Sequence, residues 1–255
     1  MDRPYLDLTD KVAVITGGSR GIGRAIAMAY AEHGADVVIA SRKLDNCEAV
    51  AAEIAEKTGR RTLAVGTHVG KWDECDRLVD RVLEELGRCD ILVNNAGMSP
   101  LYPDVAAITE EYYDKVSGVN LKGPFRLAVR FGTHMFEHDG GVILNISTVG
   151  SIRPSQTEVV YGMAKSGLNA MTVALADAFG PKVRVNCILP GAILTDISDA
   201  WSEETKANAA KTPMGRAGYA EDFPGAALFF ASEASAWITG TCLRVDGGMA
   251  RQLGL

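Results

Sequence analysis

The sequence predicts an α/β fold, a doubly wound parallel sheet of about seven strands with helices on both faces. Three observations carry that expectation. Short β-branched runs alternate with amphipathic helical stretches along the chain, the pattern of successive βαβ units. The first run, Val12–Thr16, is apolar on both faces, as a buried parallel strand must be. No repeat, low-complexity tract or linker interrupts residues 1–255, which therefore form a single domain. Right-handed crossovers then wind helices onto both faces, giving a Rossmann-like architecture.

The elements follow in order. A glycine-rich turn after Val12–Thr16 leads to a helix through Ala25 to His33, closed by Gly34. Asp36–Ala40 is a strand, Glu48–Lys57 a helix and Thr62–Val69 a strand. Asp73–Leu86 is a helix with Gly87 just past its end, and Asp90–Asn94 a strand. A long helical region runs from about Glu110 to Phe136 and contains Gly118, Gly123 and Pro124, and the missing backbone donor of Pro124 predicts a kink or break near there. Gly141–Ser147 is a strand, Val159–Phe179 a helix, and Val183–Ile188 a strand ending at Pro190-Gly191. Residues 192–218 have weak periodicity, the expectation for a substrate loop with a short helix. Phe223–Ala231 is helical and Thr241–Asp246 is the last strand.

Composition narrows the function. The chain is 47% hydrophobic and 23% charged, enough to bury a core without disulfide or metal. A net charge of −6 with no Lys/Arg cluster argues against a nucleic-acid or anionic-membrane partner. Five scattered cysteines, Cys47, Cys75, Cys89, Cys187 and Cys242, have no metal spacing and are expected to be reduced thiols. The N-terminal residues lack an apolar leader core, no run is long enough to span a bilayer, and the last residues are not a peroxisomal signal. A cytoplasmic protein is expected.

Thr16-Gly17-Gly18-Ser19-Arg20-Gly21-Ile22-Gly23 lies between the first strand and the first helix. Glycine there serves a tight turn, backbone approach to a pyrophosphate, and helix packing on the strand. The helix start adds free N–H groups and a partial positive charge, so the context predicts a dinucleotide site. An NAD site usually places a carboxylate about 20 residues on, at the end of the second strand. Here that end is Ala40-Ser41-Arg42-Lys43, with no acid to repel a 2′-phosphate. Arg42 and Arg20 stand at two predicted contact points for one, although surface arginines are commonly just solvated. The expected cofactor is NADP.

Tyr161 and Lys165 lie one turn apart on one helix face. A tyrosine titrates near about pH 10, and a neighbouring ammonium and a cationic nicotinamide ring pull that value toward a useful range. Such a pair alone is common on helices. Ser147 gives it meaning by ending a strand, where this architecture places ligands, with a hydroxyl for a substrate oxygen.

With these residues in place, the chain resembles the short-chain dehydrogenase/reductase family over essentially its whole length. The matching motifs are TGGSRGIG (Thr16–Gly23), NNAG (Asn94–Gly97), Asn120 in GVNLKG, Ser147 in LNIS, YGMAK (Tyr161–Lys165) and Pro190-Gly191. The resemblance implies Tyr161 as general acid/base, Lys165 as its pKa modulator and ribose ligand, and Ser147 as donor to the substrate oxygen. It implies that Asn120 holds a water in a proton relay to Lys165 through a helix distortion. It further implies cofactor contacts at Gly17, Ser19, Arg20, Gly21, Ile22, Gly23, Ser41, Arg42, Asn94, Ala96, Gly97, Pro190 and Gly191, with Ile193 and Thr195 at the carboxamide end. Where the family commonly has an Asp at the adenine amine, this chain has His68-Val69, whose imidazole and backbone are the expected substitutes. A homotetramer and a small carbonyl or alcohol substrate are implied as well. NADP-dependent carbonyl reductases, 3-oxoacyl-carrier-protein reductases and gluconate-type sugar dehydrogenases are comparably similar. An NAD-dependent alcohol or sugar dehydrogenase, and a nucleotide-binding scaffold without turnover, remain the alternatives.

Two other signals point elsewhere. His134-Met135-Phe136-Glu137-His138 fits a zinc-protease spacing, but it ends a helix at the predicted bottom of the sheet with no third ligand, so no metal is expected. Ser147 has no G-x-S-x-G elbow around it, which argues against a serine hydrolase. Met98, Ile152, Trp201 and Met214 are candidate pocket walls as well as plain core residues, and Ile193, Leu194, Ile197 and Trp201 weakly favour a lipophilic carbonyl.

Overall fold

The computed structural model describes residues 5–194 and 203–250. Side chains alternate across a strand, and in β1 (Val12–Thr16) Ala13 and Ile15 enter one apolar cluster while Val12 and Val14 enter another. The same alternation in β2 (Asp36–Ser41) sends Val37 and Ile39 one way and Val38 and Ala40 the other. Both faces of the sheet are therefore covered. α1 (Gly21–Glu32) and α2 (Leu44–Thr58) cover one face, through residues such as Ile26, Tyr30, Val50 and Ile54. α3 (Trp72–Leu86) covers the other, through Leu78, Val79 and Val82.

β3 (Thr62–Gly66) pairs with β2, and β4 (Ile91–Asn94) pairs with β1 on its far side, both parallel. The third strand is shorter than the sequence predicts. Pairing ends at Ser41 opposite Gly66, and residues 67–70 turn away, with the Lys71 N–H donating to the His68 carbonyl.

The long helical region is α4 (Glu110–Ser117), a π-helical turn over Gly118–Lys122, and α5 (Gly123–Glu137). The kink or break expected near Pro124 is present, as a π turn that ends just before the proline. The irregularity lies one turn earlier, where the Gly123 N–H bonds the Gly118 carbonyl five residues back. Pro124 sits harmlessly in the first turn of α5 and offers no N–H to the Asn120 carbonyl. A side chain at Gly123 would run into the Val69 carbonyl, so glycine lets this turn press against the end of the third βα loop.

β5 (Gly141–Ile146), α6 (Val159–Phe179) and β6 (Val183–Pro190) follow. β7 (Ile193–Leu194), α7 (Glu203–Ala209) and β8 (Gly218–Tyr219) occupy the described part of residues 192–218. α8 (Pro224–Ala231) precedes β9 (Cys242–Val245). The main sheet has the order β3-β2-β1-β4-β5-β6-β9, seven strands that are all parallel, while β7 and β8 form a two-stranded ribbon. α8 packs with α1 and α2, whereas α5 and α6 pack with α3. Among the described residues, no helix is long and apolar enough to cross a membrane. The strand order reverses between β1 and β4, and the crevice beyond their carboxyl ends is where this architecture binds ligands.

Candidate active site

A cavity of ≈ 1890 Å3 opens along those carboxyl ends. That exceeds the roughly 300–1,000 Å3 of a typical small-ligand site, and leaves room for a dinucleotide and a second molecule. Its nucleotide end begins at the turn after β1. Gly17 has φ 65° and Gly21 φ 51°, conformations that favour glycine. No side chain caps the start of α1, and no acid occupies its first turn. The first N–H groups of that helix are thus left for an anion. The turn is braced from beneath by two residues. The Thr16 hydroxyl accepts from the Asn95 and Ala96 N–H groups at 3.0 and 3.1 Å, and the Asn95 side-chain amide donates to the Thr16 carbonyl at 2.8 Å.

At the rim, the Ser41 hydroxyl donates to the Ser19 hydroxyl at 2.9 Å, holding the end of β2 against the turn. Arg20, Arg42 and Lys43 line the same rim, a concentration of positive charge suited to a phosphate ester. His68 and Val69 also line the cavity. The His68 N–H is held by Glu74 at 2.6 Å, while its Nδ1 accepts from the Gly70 N–H at 3.1 Å. These features, an uncapped helix start over a glycine cradle with cations beside it, fit a dinucleotide.

The other end gathers the chemistry-bearing side chains. α6 presents Tyr161 and Lys165 to the cavity, and Ser147 stands just beyond β5. Ser147 Oγ donates to the Lys165 carbonyl at 3.2 Å, and Lys165 Nζ donates to the Ile146 carbonyl at 2.7 Å. The ammonium lies 5.8 Å from the centre of the Tyr161 ring. Burial penalises charge on both groups. It pushes the Lys165 ammonium down to about 8, and burial, with the Glu158 charge adding to it, holds the Tyr161 phenol well above its ordinary range. A hydrogen bond with Thr148 pulls the phenol the other way.

Asn120 does not line the cavity. It sits fully buried in the π turn, where its side-chain amide donates to the Val116 and Met98 carbonyls at 2.9 and 2.8 Å and its Oδ1 accepts from the Met98 N–H at 3.2 Å. A side chain on Gly97 would lie 3.1 Å from Asn120 Oδ1 and 3.6 Å from Lys165 Nζ, so Asn120 and Lys165 approach each other behind that glycine. The π turn makes this possible, because Asn120 bonds its own helix at Val116 while bracing the loop after β4.

Gly17, Ser19, Gly21, Ile22, Ala96, Gly97, Pro190, Gly191 and Ile193 lie on the cavity wall with the residues already placed. Two expected contacts stand away from it. The Asn94 side chain is buried and donates to Asn145 Oδ1 at 3.0 Å, tying β4 to β5. Gly23 lies beneath the turn, where a side chain would strike the Gly17 carbonyl. Thr195, Ile197 and Trp201 lie outside the described residues. Met98 and Ile152 line the cavity. His134 and His138 stack with ring centres 4.2 Å apart at the end of α5 that leads into the start of β5, away from the crevice.

Sequence reasoning missed Asn95, Lys43, Thr148, Arg153 and Glu158, all on the wall. Asn95 was recognisable inside the Asn94–Gly97 motif. Glu158 carried a local signal too, as the only charge in Thr157-Glu158-Val159-Val160-Tyr161.

Comparison with known proteins agrees with this geometry. A family model described as Enoyl-(Acyl carrier protein) reductase matches residues 17–250. The chain is 38% identical over 245 residues to the 3-oxoacyl-[acyl-carrier-protein] reductase FabG of Chlamydia muridarum, covering 95% of this chain and 98% of that one. It is 37% identical over 245 residues to an NAD-dependent glycerol dehydrogenase of Listeria innocua, covering 95% and 94%. The structure of a putative short-chain alcohol dehydrogenase from Sinorhizobium meliloti superimposes with a TM-score of 0.93 at 37% identity, over 98% of this chain and 100% of that one.

Proposed function

The chain belongs to the short-chain dehydrogenase/reductase family of oxidoreductases, and from that premise we propose that it is an NADP(H)-dependent reductase of a small carbonyl compound, reversible toward the alcohol. The observation that carries this reading is one wall holding Ser147, Tyr161 and Lys165 in continuity with a phosphate cradle flanked by Arg20 and Arg42. Hydride would be supplied or taken up by the nicotinamide cofactor when one is bound. This chain's residues do the rest. The phenol, kept protonated by burial, gives its proton to the carbonyl oxygen, and the Ser147 hydroxyl donates to the same oxygen as negative charge grows there. The Lys165 ammonium offsets the phenolate that remains, and Asn120 fixes the loop through Met98. Residues 192–218 serve as the substrate loop in this reading, within a single domain spanning 1–255. A homotetramer accords with the exposed Phe125 on α5 and Met163 and Val173 on α6.

Tyr161→Phe tests the proposal. Carbonyl-dependent NADPH oxidation should fall by about 10^2- to 10^4-fold, while NADPH binding measured by fluorescence titration stays near wild type. Retained turnover removes Tyr161 from the chemistry. A wild-type chain that binds NADPH but reduces no ketone, aldehyde or acyl thioester is a nucleotide-binding scaffold. The glycerol dehydrogenase relative favours a second reading, an NAD-dependent alcohol dehydrogenase, which the rim arginines oppose.

A further inference from the structure

The substrate end contains a carboxylate that the hydride chemistry does not use. Glu158 stands at the start of α6, one turn before Tyr161, and lines the cavity. Its Oε2 lies 3.0 Å from the point where a side chain on Gly150 would begin, so it is folded back against that loop. Burial raises its carboxyl above the ordinary range, and no neighbouring charge or hydrogen bond pulls it back. Among the described residues, nothing donates to its side-chain oxygens.

The Glu158 oxygens keep access to water, but the side chain is half-buried, and a ligand that fills the cavity and displaces that water must replace its hydrogen bonds. A carboxylate only accepts, so that ligand must bring donors. An ammonium and a hydroxyl both qualify. Among the described residues, Glu158 is the one carboxylate on a cavity wall that also carries Arg20, Arg42, Lys43, Arg153, Lys165 and Arg244, a field that disfavours a cationic ligand. A hydroxyl meets the condition without a charge, donating to Glu158, with the Thr148 and Thr157 hydroxyls also on the wall. A saturated acyl chain offers Glu158 nothing and removes its remaining water.

Resting on the reading of this cavity as a reductase site, we propose that Glu158 binds substrate and sets specificity. The substrate class is a carbonyl compound with hydroxyl groups on the carbons next to the reacting one, a hydroxyketone whose product is a polyol. This reverses the lean toward a lipophilic carbonyl drawn from Ile193 and its neighbours. Two adjacent hydroxyls match the two oxygens of one carboxylate. The arrangement discriminates strongly, because a site built to bond a hydroxyl is left unpaired by a substrate without one.

The test uses the full chain with NADPH and two four-carbon ketones, erythrulose and 2-butanone. Wild type should prefer erythrulose in kcat/KM by at least about tenfold. Glu158→Gln should lower that value for erythrulose by about 10- to 100-fold, mainly through KM, and raise it for 2-butanone, because an uncharged amide no longer opposes an apolar ligand. Calorimetric titration of erythritol into the NADP-saturated protein should show the same weakening in the variant. An equal loss on both ketones, as a merely structural role would give, overturns the proposal. So does unchanged erythrulose kinetics. A wild type that prefers 2-butanone or an acetoacetyl thioester overturns it while leaving the reductase reading standing. No turnover of any carbonyl removes both.

Discussion

At the nucleotide end of the crevice the backbone makes the shape, with Gly17 and Gly21 at positive φ and the α1 N–H groups facing outward. At the substrate end side chains make it, from Ser147, Tyr161 and Lys165 to Thr148, Arg153 and Glu158. The first end recognises charge and shape common to every dinucleotide. The second, in the proposed reading, carries reactivity and selectivity, and it holds Glu158 and Lys165 under desolvation. A binding site made of backbone tolerates little change in residue size, whereas one made of side chains tolerates size but depends on chemistry. Each can be perturbed separately.

The largest effect belongs to Gly23→Ala. The new methyl would press on the Gly17 carbonyl and on the Asn95 amide, which donates to that carbonyl at 3.2 Å and to the Thr16 carbonyl of β1 at 2.8 Å. Overpacking costs about 1–3 kcal/mol and occasionally more, and a methyl set against a backbone carbonyl that cannot rotate aside stands at the top of that range. Because the strain falls on the cradle itself, NADPH affinity should drop along with the melting temperature. A variant that binds NADPH as tightly as wild type would show that the turn yields more readily than its hydrogen bonds imply.

Next comes Arg42→Ala. Arg42 lines the rim beside the Ser41–Ser19 hydrogen bond and makes no ion pair among the described residues. Loss of one charged hydrogen bond to a phosphate is worth about 1.5–3 kcal/mol, so NADPH should bind about 10- to 100-fold more weakly while NADH changes little. Titration with both cofactors separates the cases. Equal losses would mean that Arg42 does not hold a 2′-phosphate, and would favour the NAD-dependent reading.

How far each end could be read from sequence follows from the same contrast. The cradle is local, because Gly17–Gly23 adjoin in the chain and sit between a strand and a helix, so its role was visible in order and spacing. The sheet was visible for a related reason, since strands such as Val12–Thr16 are buried on both faces and allow few other arrangements. Tyr161 and Lys165 were visible as a pair one turn apart. The π turn was legible only through the family resemblance, which puts a helix distortion at Asn120, since its i→i+5 bond depends on Gly123 approaching the Val69 backbone from another part of the chain. Asn94 illustrates the opposite error, for motif membership placed it at the cofactor while packing placed its side chain between β4 and β5. The substrate end draws on loops after β4, β5 and β6, and only their meeting reveals that Glu158 has no donor among the described residues.

The smallest effect separates stability from function at the substrate end. Lys165 is 2% exposed, carries its charge beside no acid, and is pushed down to about 8 by burial. In the unfolded chain a lysine keeps its proton to about pH 10.4. Between those values the unfolded chain binds a proton that the folded chain does not, so folding gains stability as pH rises through that window. Below about 8 the cost of burying the charge is fully present. Lys165→Met removes that cost but leaves the Ile146 carbonyl without its donor. The net gain at pH 7 should be about 1–2 kcal/mol, near the low end for replacing a buried ion with an apolar side chain. The variant should melt higher than wild type at pH 7, by about 2–4 °C per kcal/mol, and lose carbonyl reduction. The gap should narrow as pH approaches 10, because wild-type Lys165 is then neutral in the folded chain as well. A variant less stable at pH 7, or a gap independent of pH, would show that Lys165 is stabilised by its surroundings and that the substrate end is no more strained than the nucleotide end.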